Sequence, residues 1–252
     1  MVDFVEAVKR PLRADPVTIV LGVLFAIFPP TRPLLHGLGI ELSRRTFHQN
    51  DRMPMFDDFV DSFLSGLIVF VIAILFFLPA LLVLLFGAAA SLPLIMEIIR
   101  NIPLNIGASV QGVMFLAIGG AIIGSIALFL FIIAAIMLPV GVQLYAHDKR
   151  VSSAFSFEKI LRVVGTAKYW ISWILMIGYG IVLVGIVTLL SLPEFNALSV
   201  VFLGIASYLW WMTLYIVMSE TVRSSGVLGN TRKSQLSNSN APARKLKKRK
   251  KK

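Results

Sequence analysis

The chain alternates long apolar runs with short polar connections. Four runs contain no charged side chain, namely residues 62–96, 101–146, 169–193 and 195–219. A helix needs about 20 apolar residues to cross a hydrocarbon core about 30 Å thick, and each run is long enough. The pattern therefore predicts four transmembrane helices, at about 67–90, 112–138, 169–191 and 197–218.

The apolar segment nearest the N-terminus is shorter and broken. Residues 17–28 would rise only about 18 Å as a helix, too little for a full span. The sequence "FPPTRP" then interrupts the segment before a second apolar stretch at 34–42. Two arrangements are open: residues 16–43 form one kinked span, or they form a re-entrant hairpin that enters and leaves on the same side.

Several shorter segments have one apolar and one polar face, which is typical of helices at a membrane surface. In residues 2–13 the apolar face holds Phe4, Val5, Val8 and Leu12, opposite Lys9, Arg10 and Arg13. Phe-bearing amphipathic helices are predicted at 56–66 and 155–165. Residues 92–108 are too polar to cross and predict an interfacial helix on the outer surface.

The predicted fold class follows from these elements. It is an all-α, polytopic transmembrane helix bundle with four clear spans. An N-terminal broken span or re-entrant hairpin and amphipathic interfacial helices complete it. The chain contains no Cys, so disulfides and thiolate metal sites are excluded.

Charge divides the chain into two parts. The net charge is +11, yet residues 1–222 hold equal numbers of basic and acidic side chains; residues 223–252 hold eleven Lys or Arg and no acid. This last segment is rich in Ser, Asn and Lys and cannot bury a core. We predict a membrane-embedded helical domain at 1–222 and a disordered basic tail at 223–252.

The basic residues of the connections predict the orientation. If all four spans cross, the loops 44–62 and 147–168 lie on the side of the tail and are rich in Lys and Arg. In the loops on the other side, 91–111 and 192–196, Arg100 is the only basic residue. The positive-inside rule therefore predicts a multi-pass protein of the cell membrane with a cytoplasmic C-terminus. The basic N-terminal residues fit best on the same side, which favours the hairpin.

The stretch "PMFDDFVDSFLSGL", residues 54–67, gathers three acids: Asp57, Asp58 and Asp61. Together with His48 and Asp51 they are conceivable metal ligands. The favoured interpretation is structural, because Pro54 precedes a helix start and acids in a first turn meet the positive end of the helix dipole. We predict no metal or other cofactor. The expected docking partner of these acids is Arg44 or Arg45, and Phe56, Phe59 and Phe63 form the opposite, membrane-facing stripe.

The sequence "GLGIELSRRTFHQNDRMPMFDDFVDSFLSGL", residues 37–67, resembles the motif of a family of prokaryotic membrane proteins known as domain of unknown function 4013. The matching positions are Gly39, Arg44, Pro54, Phe56, Asp57, Asp58, Phe63 and Gly66. Phe59 stands where the family has Trp, and Ser65 and Leu67 stand where charged residues often flank the Gly. The segment 145–161 is similar to a later motif of the family through Phe155 and Phe157. The resemblance covers most of residues 1–220 and implies a multi-span fold and a prokaryotic source, with no known activity.

Few polar side chains lie within the apolar segments. Glu41 and Gln143 occupy corresponding places in two weakly similar segments, 39–45 and 141–147, and are candidates for a transport path. His36 and His147 are expected to be isolated, without partners at ligand spacing. Gly120 and Gly124 give one span a small-residue face. We expect that face to serve packing within the chain, with a homo-oligomer contact as the alternative.

The end of the tail predicts a lipid-binding segment. Eight of its last nine residues are basic: Arg244, Lys245, Lys247, Lys248, Arg249, Lys250, Lys251 and Lys252. Next to a membrane each contributes about 1 kcal/mol of attraction to anionic headgroups. No specific nucleic-acid partner is expected, because no aromatic residues are interleaved with the charges.

The sequence contains no phosphate-binding Gly-rich loop and no recognisable hydrolase or metalloprotease motif, so we predict that the protein is not an enzyme. Two function classes stay open. One is a small transporter or channel-like protein, suggested by the weak internal repeat, the broken first segment and the Pro-containing spans. The other is a structural or adaptor protein of the cell envelope that uses its basic tail to contact anionic lipid or partners.

Overall fold

The computed structural model describes residues 3–50, 52–54, 59–101, 106–190 and 196–228. Helices account for 91% of these residues, and no strand occurs among them. This confirms the all-α class. The helices are α1 (Phe4–Leu12), α2 (Pro16–Ile27), α3 (Arg32–Phe47), α4 (Phe59–Asn101), α5 (Ile106–Asp148), α6 (Phe157–Val164), α7 (Ala167–Leu190) and α8 (Asn196–Ser224).

Each of the first two helices begins at a capping Asp. The carboxylate of Asp3 accepts a hydrogen bond from the backbone N–H of Glu6 at 3.1 Å and begins α1. Asp15 does the same for α2 through the N–H of Val17, and Pro16 occupies the first position of that helix. Both caps satisfy backbone N–H groups that have no partner within the helix.

The direction of α2 follows from its contacts with α8. The ring of Tyr208 lies against Gly22, and the side chain of Ile27 lies against Gly204. A later residue of α2 therefore meets an earlier residue of α8, so that the two helices are antiparallel.

Helix α3 runs the opposite way. Its residue His36 meets Tyr215, and its residue Thr46 meets Arg223, so α3 is parallel to α8. The 3₁₀ turn Pro29–Thr31 reverses the chain between α2 and α3. Of the two predicted arrangements, residues 16–43 therefore adopt the hairpin.

Helices α4 and α5 are each 43 residues long. The prediction of a separate interfacial helix at 92–108 is wrong: α4 continues through Pro93 to Asn101, and α5 begins at Ile106. The Phe-bearing segment predicted at 56–66 is also not a separate helix, because α4 runs on from Phe59 without a break. Pro93 has no backbone N–H and so removes one hydrogen bond of the helix, yet α4 does not end there.

The structure divides into two compact units. The first contains Met1–Phe70 and Pro139–Lys252, and the second is Val71–Leu138. The second unit is a hairpin that consists of the C-terminal part of α4 and the N-terminal part of α5. Its helices meet where the rings of Phe77 and Phe131 stack with centroids 4.6 Å apart.

Helix α1 packs with a face that the sequence did not predict. It lies against α8 and buries Ala7, Arg10 and Pro11. Val5 and Leu12, which were predicted to belong with Phe4 and Val8 to the apolar face of a helix on the membrane surface, are more than half exposed. Part of the predicted polar side of α1 also faces α8, where a guanidinium nitrogen of Arg10 lies 3.5 Å from a carboxylate oxygen of Glu220.

Candidate functional site

Tyr215 of α8 joins three helices of the first unit. Its hydroxyl shares a hydrogen bond with Nδ1 of His36 at 3.1 Å. Its ring covers Gly39, where a Cβ atom would lie only 2.3 Å from ring carbons. Its backbone carbonyl accepts a hydrogen bond from Nε2 of Gln143 at 3.4 Å. One residue thus connects α3, α5 and α8, and its hydroxyl is a hydrogen-bond partner of His36.

Basic side chains cap the helix ends next to this junction, each from a neighbouring helix. Arg44 Nε of α3 donates to the carbonyl of Ala146 in α5 at 3.1 Å. Arg223 of α8 donates to the carbonyl of Thr46 in α3 at 3.0 Å. Lys168 of α7 approaches the carbonyl of Ser224 in α8 at 3.5 Å. A positive charge near the last carbonyls of a helix favours the helix dipole, so these contacts stabilise the helix ends mutually.

The predicted transport-path residues do not share one environment. Glu41 is 42% exposed and forms ion pairs with Arg44 at 3.6 Å and Arg45 at 3.3 Å. Gln143 is 2% exposed, and its Oε1 atom has no hydrogen-bond partner. Their sequence segments do lie together, since Gly39 and Gln143 both contact Tyr215 and Arg44 reaches Ala146.

The two remaining glycines of the junction allow α3 and α4 to cross at backbone distance. A Cβ on Gly66 of α4 would lie 1.6 Å from the carbonyl oxygen of Pro33. A Cβ on Gly37 of α3 would lie 1.8 Å from the carbonyl oxygen of Ser62. The motif glycine Gly66 therefore acts with Gly37, which the sequence analysis did not single out.

The acidic stretch is described only in part. Phe56, Asp57 and Asp58 lie outside the described residues, so their predicted docking on Arg44 or Arg45 stays a prediction. Pro54 is buried, and Asp61 lies in the first turn of α4. Phe59 and Phe63 are both more than two-fifths exposed, in agreement with an outward-facing stripe.

Metal ligands do not converge anywhere in the described part of the chain, where no group of three or more His, Asp or Glu side chains could hold an ion. A groove with a volume of about 340 Å³ lies between α7 and α8. It is lined by apolar side chains such as Leu183, Val187 and Trp210.

The other predicted positions are not part of the junction around Tyr215. Phe155 ends the 3₁₀ turn Val151–Phe155, and Phe157 begins α6 with more than half of its side chain exposed. Gly120 and Gly124 have no atom within 4 Å of an added Cβ, so the expected packing within the chain is absent at both. The eight basic residues of 244–252 lie outside the described residues.

Tyr215 and Arg223 complete the site, and the sequence analysis did not assign them to it. The side chain of Tyr215 lies in the core. Its position 179 residues from His36 leaves no local pattern that would link the two. The only local signal is that this Tyr and this Arg both lie near the end of the last span.

The helices define the class of protein. Four of them, Phe59–Arg100, Val110–Asp148, Ala167–Leu190 and Ser199–Ser224, are long and apolar enough to cross a membrane. Most side chains of these four segments are not buried against other parts of the chain. The molecule is therefore a multi-pass helical membrane protein.

Within that class, the chain belongs to the family described as "Protein of unknown function (DUF4013)", whose model matches residues 20–192. The resemblance seen in the motif around Gly39 and Gly66 is thereby confirmed. The match covers most of residues 1–220, as expected, and leaves α1 and α8 outside it. No curated protein and no solved structure matches the chain.

Proposed function

We propose that this protein is a non-enzymatic structural or adaptor protein of a prokaryotic cell membrane. Its C-terminus lies in the cytoplasm, and its basic tail contacts anionic lipid headgroups or acidic partner proteins. The bundle serves as the anchor that holds this tail at the membrane surface.

The packing at the predicted transport path is the observation that carries the proposal. Glu41 is neutralised by two arginines at the rim of the junction, and Gln143 donates to a backbone carbonyl inside it. The surrounding side chains of Leu38, Ile40 and Leu144 are at most 1% exposed. Fully buried apolar side chains next to Gln143 support an anchoring role more than a path for a polar solute.

The distribution of charge supports the same function. The ion pairs of Glu41 and of Glu220 are formed within the folded part. The excess of positive charge belongs to residues 223–252 instead. A polybasic segment adjoining a cytoplasmic membrane face is attracted to anionic lipid within about one Debye length.

A spin label in the tail tests this function. The chain has no Cys, so Ser239→Cys gives a single labelling site. The labelled protein is placed in nanodiscs of phosphatidylcholine, alone or with about one quarter phosphatidylglycerol, because attraction requires anionic headgroups. We expect the nitroxide to be slowed in the anionic discs only.

The matched control is a tail-neutral variant in which the eight basic residues of 244–252 are replaced by Gln. Its label should move equally fast in both kinds of disc. Equal mobility of the wild-type label in both lipids, together with unchanged partners on purification of the two proteins from native membranes, would refute the adaptor role. An ion conductance in planar bilayers that Gln143→Leu abolishes would replace it with transport.

A further inference from the structure

The tip of the α2–α3 hairpin lies at the depth of the middle of the last span. His36 of α3 contacts Trp211 of α8, with ring centroids 4.7 Å apart, and hydrogen-bonds to Tyr215. Because α3 is parallel to α8, Arg32, one turn before His36, lies at about the level of Trp211. That residue is in the middle of the spanning segment Ser199–Ser224. Arg32 is therefore about 15–20 Å along the axis from either end of the segment.

The charge of Arg32 is not compensated. Its side chain is exposed, and it forms no ion pair within the part of the chain that the structure describes. Arg32 begins α3, where the helix dipole is positive, so its own helix does not neutralise it. A charged side chain in the middle of a bilayer is costly, and such residues pair with an opposite charge or a polar group. Arg32 therefore needs an anionic partner.

The surface around Arg32 is apolar. Phe28, Pro29 and Pro30 precede it at the tip and are exposed. The hydroxyl of Thr31 donates to the carbonyl of Phe28 at 2.8 Å, within the hairpin itself. The tip thus presents one guanidinium group in an apolar surface. This surface fits an apolar helix with a single acid better than a hydrated anion, which would need several polar partners.

Lipid phosphates lie too far away to be the partner. They are at the two surfaces of a hydrocarbon core about 30 Å thick. Arg32 lies near the middle of this core, and an Arg side chain is shorter than half of its thickness. The side chain cannot place its charge among the headgroups from that depth, as lysines and arginines near helix ends do.

A second copy of this chain does not supply the missing charge either. The runs 62–96, 101–146, 169–193 and 195–219 contain no charged side chain, so the four spans carry no acid at mid-membrane depth. Glu41 is already paired within its own helix. Two copies that met through their tips would bring two guanidinium groups together, which is unfavourable. The partner is therefore a different membrane protein.

We propose that the tip of the α2–α3 hairpin binds a spanning helix of another membrane protein, and that an Asp or Glu in the middle of that helix forms an ion pair with Arg32. Phe28 packs against the apolar residues around this acid. The site lies inside the bilayer. It goes beyond the proposed contacts of the basic tail and does not depend on them.

Synthetic spanning peptides in phosphatidylcholine nanodiscs test the site. Each peptide has about 20 Leu and Ala residues, Lys at both ends and one photoreactive leucine in the middle. The peptides differ in one residue: a central Glu, a central Gln, or a Glu near one end of the apolar segment. Each is irradiated with the full-length protein, and mass spectrometry identifies the cross-linked residues. We expect the central-Glu peptide to cross-link to residues 28–32 about tenfold more than the other two.

Variants of the protein show whether Arg32 is responsible. Arg32→Gln should lower the cross-linking of the central-Glu peptide to the level of the central-Gln peptide. Arg52→Gln is the matched control, because it removes an exposed Arg that lies outside the spans, and it should change nothing. Arg32→Glu should reverse the preference, so that a central-Arg peptide replaces the central-Glu peptide. This exchange also shows that the variant folds. The tail-neutral variant should behave as the wild type does.

Four results would overturn the site. The first is equal cross-linking of the wild-type protein by the central-Glu peptide and by either of the other two. The second is unchanged cross-linking in Arg32→Gln. The third is loss of cross-linking in the tail-neutral variant alone, which would assign the peptide to the tail and leave the proposed function intact. The fourth is reaction of Arg32→Cys with a membrane-impermeant maleimide in nanodiscs, which would show that the tip faces water instead of a partner helix.

Discussion

At the residue scale, the tightest point of the first unit is the crossing of α3 and α4. Gly37 and Gly66 each approach a carbonyl oxygen of the other helix more closely than any side chain would allow. A backbone carbonyl cannot move aside as the end of a flexible side chain can. The crossing therefore requires glycine at both positions.

We predict that Gly66→Ala lowers the free energy of unfolding by about 1–3 kcal/mol, because the added methyl group displaces the backbone of Pro33. The measurement is unfolding of the detergent-solubilised protein, followed by the loss of helical circular dichroism. Gly120→Ala is the matched control, since it adds the same atom where nothing lies within 4 Å. A loss of stability in Gly120→Ala equal to that in Gly66→Ala would show that helix propensity or folding yield, and not the crossing, limits these variants.

The sequence located Gly39 and Gly66 through their motif but did not reveal why glycine is needed. Gly39 faces a Tyr ring that comes from the last span, and Gly66 faces a backbone carbonyl of α3. Both partners are brought near by tertiary packing, which local sequence patterns do not encode. For the same reason the burial of Arg10 was missed, because its partner Glu220 is 210 positions away.

At the scale of elements, the helix ends of the first unit are held by charges from neighbouring helices. The carbonyls at the ends of α3, α5 and α8 each receive a basic side chain. The motif residue Arg44 thus has a structural role that needs no substrate. Its guanidinium caps α5 and neutralises Glu41 at once.

Arg44→Met should therefore lower the free energy of unfolding by about 1–2 kcal/mol, since it removes a charged hydrogen bond and leaves the carbonyl of Ala146 without its donor. Equilibrium unfolding in a mixed detergent series measures the change. Arg162→Met removes a charge of the same kind from an exposed pair and should cost only about 0.3–0.5 kcal/mol. Equal effects of the two substitutions would contradict the capping role.

The existence of the four spans was predictable, because charge-free runs longer than a bilayer leave no alternative. Their ends were not. The residues around Glu97 and Arg100 looked like a surface helix, yet α4 extends through them. Polar residues occur both in surface helices and near the ends of spanning helices, so composition alone does not decide where a long helix ends. The hairpin of α2 and α3 was favoured only by three basic residues, and contacts with α8 decide it.

At the scale of the whole molecule, the C-terminal ends of α1, α3 and α5 lie at the end of the first unit where α8 finishes. Arg10 meets Glu220, Thr46 meets Arg223, and Arg44 meets Ala146. Positive side chains are frequent in the sequence that follows these ends, which favours the cytoplasmic side for all three.

Single cysteines should report this arrangement without background, because the chain has no cysteine of its own. In intact cells, a membrane-impermeant maleimide should label Glu97→Cys and leave Asn50→Cys and Glu158→Cys unmodified. Permeabilised cells should label all three. Labelling of Asn50→Cys in intact cells would reverse the proposed orientation, and labelling of Asn50 and Glu158 from opposite sides would contradict the fold of the first unit.

The length of α4 has a physical consequence for where the protein can reside. Its charge-free part, residues 62–96, rises about 52 Å along the helix axis, against a hydrocarbon layer of about 30 Å. Tilting alone would have to exceed about 50°, which is beyond the range of about 0–40° seen for spanning helices. The surplus must deform the surrounding lipid or emerge from it, so a thicker bilayer relieves the mismatch. Among membranes of different thickness, this polypeptide would collect in the thickest one.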